Sequence, residues 1–166
     1  MKPKKIKLKK NKDNRGFFLK LFCKESLSSR FNNLDIKQIN YSFNKKRGTI
    51  RGLHYQRNPY SEQKILYCLK GKIFDVLVDV RKSSKNYLKY KKFILDEKKD
   101  EFLIIPKGFA HGFQTLTNNC VILYFHSGLY KKNYESGINP MDDIIKIKWP
   151  IKKIIISKKD KYRRFL

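Results

Sequence analysis

Residues 64–80 read KILYCLKGKIFDVLVDV, two runs of strand-forming residues broken at Gly71. In the second run Phe74, Val76, Val78 and Val80 alternate with Asp75 and Asp79, the two-residue period of a strand with one apolar face. YKKFILD (90–96), EFLIIP (101–106) and CVILYFHSG (120–128) follow the same style, joined by the polar stretches DVRKSSKN (79–86) and LDEKKDE (95–101). No 3.6-residue period runs through any of them. The one candidate helix near the front, FCKESLSSRF (22–31), is short. Short strands at regular spacing with turns between predict an all-β fold, an antiparallel sandwich or jelly roll.

The chain has 166 residues, enough for one domain with a sizeable core and little room for two, so residues 1–166 are taken as a single domain. Its formal net charge is +26. Clustered lysines would point to nucleic acid or an anionic surface. Here they are spread over most of the chain, densest at 2–12 and 152–164, without the tail, helix face or basic-aromatic module of a nucleic-acid protein. The charge is therefore read mainly as compositional, and specific nucleic-acid binding is not expected. Cys23, Cys68 and Cys120 are far apart and odd in number, which suits reduced thiols in a reducing compartment. The basic start lacks the apolar run of a signal peptide, and no stretch has the length of a membrane span. A cytoplasmic location is expected.

Two motifs stand out from the lysine-rich background, RGLHYQ (51–56) and PKGFAHGF (106–113). Each places one of the chain's three histidines in a glycine-containing, β-rich setting. Metal binding is a poor fit: position 56 is Gln56 rather than a second histidine, His126 falls beside a glycine-containing turn, and no carboxylate stands at ligand spacing. Proton transfer fits better. A histidine is the usual general base near neutral pH, provided that a carboxylate orients it and donors meet the developing oxyanion. Lys64 and His111 could supply those donors, and a tyrosine such as Tyr124 could return a proton on the opposite face. A core histidine with a satisfied hydrogen bond is the alternative. Gly108 and Gly112 are expected to let the backbone turn and pass close to a ligand beside His111.

In these motifs the sequence resembles the dTDP-4-dehydrorhamnose 3,5-epimerase family. The resemblance runs through DNRGFF (13–18), QIN (38–40), RGLHYQ, QKILY (63–67), FDVLVDVRKSS (74–84), LIIPKGFAHGF (103–113), LYF (123–125), YESGI (134–138), KWP (148–150) and SKKD (157–160), in family order over nearly the whole chain. It implies a cupin-like jelly roll, a homodimer, no metal and no redox cofactor. It also implies epimerisation at C3 and C5 of a nucleotide-linked 4-keto-6-deoxy sugar through an enolate.

Carried onto this sequence, the resemblance makes His54 the base, Asp160 its orienting carboxylate and Tyr124 the acid. Lys64 and His111 stand beside the 4-oxygen and the sugar. Arg51 binds substrate, Gln38 and Asn40 frame the pocket, Arg15, Glu135 and Lys159 take nucleotide or diphosphate positions, and Tyr130 stacks on the base. Two positions depart from the family pattern: Lys20, where a glutamate contacting the nucleobase is usual, and Ile39, inside what is usually Gln-Asp-Asn. Both lie on the nucleotide side and leave the identity of the nucleotide open. Single epimerisation at C3 or C5, and a non-catalytic sugar-nucleotide or polyanion binder, are the alternatives.

Overall fold

The computed structural model describes residues 1–23, 25 and 35–163, and in them the chain is a β-sandwich. The strands are β1 (Lys4–Lys7), β2 (Lys10–Asp13), β3 (Gly16–Leu19), β4 (Gln38–Asn44), β5 (Thr49–Gln56), β6 (Lys64–Lys70), β7 (Lys72–Asp79), β8 (Tyr90–Asp96), β9 (Glu101–Ile105), β10 (Phe109–Thr115), β11 (Cys120–His126), β12 (Glu135–Gly137) and β13 (Ile155–Ile156). One sheet runs β1-β9-β6-β11-β4. The other runs β12-β5-β10-β7-β8, with β13 alongside β5, and β2 and β3 form a separate hairpin. All pairings but β13–β5 are antiparallel, as in a cupin-like jelly roll. The candidate helix at 22–31 falls largely outside the described residues.

Three apolar layers explain why the central strands are rich in Ile, Leu and Val. Between the sheets lie Leu66, Leu77, Leu103, Phe113 and Ile122. The outer face of the first sheet, with Ile65, Phe102 and Ile104, is covered by Ile6, Leu8, Leu19 and Leu21 from the N-terminal segment. The outer face of the second, with Phe74, Val76 and Val78, is covered by Ile138, Ile145, Ile147 and Trp149 from the C-terminal segment. Burying this area is the main favourable term in folding.

The alternation in β7 holds, but its polar side does not face water. Asp75 and Asp79 are buried, because β7 is covered on both faces and the aspartate row points between the sheets. Asp79 is neutralised by Arg81 at 2.6 Å and accepts a hydrogen bond from the Ser84 hydroxyl at 2.7 Å. Asp75 belongs to the site described next. Among the described residues no helix is long and apolar enough to cross a membrane.

Candidate active site

A cleft of about 520 Å³ opens between the sheets, bordered by β4, β5, β6, β10 and β11, and runs on into a second hollow of about 440 Å³. Asn40, His54, Lys64 and His126 line both.

The first wall is built by RGLH. Opposite β10, His54 pairs with His111 and Arg51 with Phe113, so three steps on β5 match two on β10. This bulge puts Arg51 and His54 on the same face, where a regular strand would send them to opposite faces; bulges commonly re-aim side chains in this way. Gly52 makes it possible. Its φ is +125°, and a Cβ there would lie 2.5 Å from Gly112 Cα and 2.7 Å from His111 O. Gly112 is correspondingly small because its Cβ would lie 2.7 Å from Arg51 O. The expectation that Gly112 makes room for a ligand is thus corrected: it makes room for β5. Gly108 does sit in a turn, at φ +79°.

His54 Nε2 lies 2.6 Å from Asp160 Oδ1. Asp160 is delivered by a one-turn helix, Lys158–Lys161, capped by Ser157 Oγ accepting from the Asp160 N–H. Burial works against ionisation of Asp160, but hydrogen bonds from His54 and the Gly52 N–H, with the Arg163 charge, hold its carboxyl below the usual range. An ionised Asp160 fixes the proton on Nε2 and leaves the Nδ1 lone pair basic. His111 repeats the arrangement more deeply, with Nε2 2.7 Å from Asp75 Oδ2. Burial, only partly offset by His111, raises the Asp75 carboxyl. Sequence reasoning had missed Asp75 as a partner, although a carboxylate inside an apolar run was the available signal.

The opposite wall carries Tyr124, its ring between those of His111 (centroids 6.1 Å) and His126 (5.9 Å). Burial, then the Asp75 charge, pushes its hydroxyl pKa up against the pull of Arg51, so Tyr124 stays protonated at neutral pH. Lys64 lies 3.4 Å from Glu62. His126, expected at a turn, is instead buried in the cleft and bonded to Glu62 at 3.0 Å. Glu62 and His126 were both missed. His126 lies two residues from Tyr124 on β11, the spacing that shares a strand face, and Glu62 lies two residues before Lys64, just ahead of β6.

In the second hollow Tyr130 Oη donates to Glu135 at 2.6 Å, and Lys159 and Arg163 donate to the same carboxylate at 2.8 and 2.7 Å. Burial opposes ionisation of Glu135, but hydrogen bonds from Lys159 and Tyr130 and the Lys159 charge hold it at about 2. Gln38 and Asn40 sit here, bonded to each other at 2.9 Å. Two expected residues do not join them. Arg15, at the β2–β3 turn, is paired with Asp13 at 2.6 Å and open to solvent, and Lys20, just past β3, is exposed; neither lines the cleft.

The sequence profile of dTDP-4-dehydrorhamnose 3,5-epimerase matches residues 3–166. The chain belongs to this family. It is similar to the dTDP-4-dehydrorhamnose 3,5-epimerase of Shigella flexneri, with 38% identity over 149 residues, 89% of this chain and 82% of that one. The Bacillus anthracis enzyme, crystallised with TDP and PPi bound, superposes with a TM-score of 0.95 at 35% identity, covering 99% of this chain and 94% of that one. The Legionella pneumophila enzyme in complex with dTDP-4-keto-L-rhamnose gives 0.92 at 32% identity, covering 98% and 87%. These epimerases share the sandwich that carries the His54, His111 and Tyr124 walls.

Proposed function

We propose that this chain epimerises C3 and C5 of a dTDP-linked 4-keto-6-deoxyhexose, converting dTDP-4-dehydro-6-deoxy-D-glucose to dTDP-4-dehydro-L-rhamnose, with residues 1–166 acting as one catalytic domain. The observation that carries this reading is the placement of His54 with Asp160 on one sheet and Tyr124 on the other, both lining one cleft. Inversion at carbon needs a base on one face and an acid on the other, and two facing sheets provide them. The substrate's 4-ketone acidifies both C3 and C5, so no redox step is required.

In this reading His54 takes the C–H proton, and the electron pair moves into the C–C bond while the 4-oxygen becomes an enolate. Lys64 and His111 meet that oxygen, a charge stabilisation that ranks among the largest catalytic contributions. Tyr124, protonated at neutral pH, delivers a proton to the opposite face. Arg51 and Asn40 hold the sugar, while Gln38, Tyr130 and Lys159 hold the nucleotide and its diphosphate. The known ligands of the Bacillus and Legionella relatives support this class of substrate.

A homodimer is part of the proposal. Edge strand β4 exposes Ile39, Tyr41 and Phe43, 57%, 63% and 49%, the first two at the rim of the cleft, and an open apolar edge invites a second copy. Arg15 and Lys20 would reach a nucleotide only from such a copy. The buried thiols Cys68, raised to about 12 mainly by burial, and Cys120 support a reducing, cytoplasmic setting.

The test is NMR of dTDP-4-keto-6-deoxy-glucose incubated with the protein in D2O. Deuterium at C3 and C5 with inversion at both is expected. Exchange at one carbon alone would make it a single epimerase. No exchange, also with CDP-, GDP- and UDP-linked ketosugars, would leave a binding protein.

A further inference from the structure

Two buried groups in the cleft have no part in the reaction as written above, Glu62 and His126. On β11, His126 is paired across the sheet with Lys64 on β6 and with Gln38 on β4. Its Nδ1 lies 3.0 Å from Glu62 Oε2, and Glu62 Oε1 lies 3.4 Å from Lys64 Nζ. Its Nε2 lies 3.2 Å from Asn40 Nδ2. Asn40 Oδ1 accepts from Gln38 Nε2 at 2.9 Å, and Gln38 Oε1 accepts from the Tyr130 N–H at 3.2 Å. The side chains of Lys64, Glu62 and His126 keep only 12%, 6% and 11% of their exposure, so little water competes for these bonds.

The directions of the bonds are fixed by chemistry. Burial opposes ionisation of Glu62, but the His126 hydrogen bond and the Lys64 charge hold its carboxyl below the usual range. An ionised Glu62 only accepts, so His126 donates from Nδ1, and Nε2 takes the Asn40 amide hydrogen. A continuous chain then runs from the nucleotide end of the cleft, through Gln38, Asn40, His126 and Glu62, to the Lys64 ammonium. Lysine needs such a partner: its flexible four-carbon stem does not aim itself, and misplacement of a catalytic group by about 1 Å can cost about a hundredfold in rate. A bare carboxylate would also repel an enolate nearby, and the His126 donor draws off part of that charge.

We propose that Glu62 and His126 are positioning residues that aim the Lys64 ammonium at the sugar's 4-oxygen and, through Asn40, tie its orientation to the seating of the nucleotide against Gln38. The proposal rests on the epimerase reading, in which Lys64 meets that oxygen.

Steady-state kinetics with dTDP-4-keto-6-deoxy-glucose and calorimetry with dTDP alone test it on the full chain. Glu62→Gln removes the charge facing Lys64. His126→Gln keeps a polar group toward Asn40 but loses the donor to Glu62, whereas His126→Asn keeps that donor and loses Asn40. Glu62→Gln and His126→Gln are expected to lose about ten- to a hundredfold in kcat, the worth of a hydrogen bond to a charged group, with dTDP affinity preserved. His126→Asn is expected to retain kcat and raise KM. Equal losses of kcat in the two His126 variants, the reverse order, or an unchanged kcat in Glu62→Gln would overturn the proposal. Thermal unfolding and dTDP binding show whether each variant folds, and if Glu62→Gln does not, the His126 pair decides. A wild type that turns over no ketosugar sinks the epimerase reading; a working wild type with indifferent variants sinks only the positioning pair.

Discussion

His54 and Tyr124 divide the proposed chemistry between removing a proton and returning one, and substitutions separate the two. His54→Ala should abolish deuterium incorporation at both carbons, a loss of at least about 10²–10⁴. Tyr124→Phe should lose a comparable factor in epimerisation while still exchanging deuterium into substrate of unchanged configuration, because the proton His54 takes exchanges with D2O and His54 returns a deuteron to the same face. NMR of the recovered sugar reads both outcomes. A Tyr124→Phe enzyme that epimerises at the normal rate would remove Tyr124 from the mechanism. His54, His111 and Tyr124 were legible in the sequence because their motifs are local. Asp75 and Glu62 were not, because the significance of a carboxylate within β7, or just ahead of β6, depends on which strand faces it. In the sequence His126 only adjoins a glycine-containing turn, and the pairing of β11 with β4 and β6 puts it in the cleft.

At the level of elements, the β5 bulge and the C-terminal helix together make the base. Gly52→Ala would force a Cβ into Gly112 and His111 at a positive φ, with backbone rather than a flexible side chain in the way. A loss of about 1–3 kcal/mol in denaturant unfolding is expected, together with reduced turnover, since β5 must move away from β10. The helix carrying Asp160 is tied down by Glu135 through Lys159 and Arg163. The folded pKa of Glu135 is depressed from its usual 4.5 to about 2, so this stabilisation is complete above 4.5 and drains away as pH falls toward about 2. Hydrogen-exchange protection of residues 157–163, taken relative to the intrinsic rate at each pH, should fall across that window, and Glu135→Gln should flatten the dependence.

For the whole molecule, the +26 charge predicts attraction of a nucleotide diphosphate-sugar from a distance. KM should rise severalfold between about 0.01 and 1 M salt, as the screening length falls from about 30 to about 3 Å. A KM indifferent to salt would confine the lysines to composition. Tyr41→Lys, on the apolar edge of β4, should convert a dimer to a monomer in sedimentation if that edge is the contact proposed above.

The sequence by itself determined the sandwich, because period-two alternation and turn residues are local signals, and it determined the family through motifs that need no folding to be recognised. Tertiary structure alone decided the rest. It turned the Asp75 row inward, since covering both faces of β7 depends on where the C-terminal segment packs. It left Arg15 and Lys20 outside the cleft of their own chain, because the β2–β3 hairpin is hydrogen-bonded to neither main sheet and packs Leu19 on the outer face of the first, away from the cleft. It also brought Glu62 and His126, 64 positions apart, within hydrogen-bonding distance. Sheet pairing makes distant residues neighbours, and no spacing along the chain records which ones.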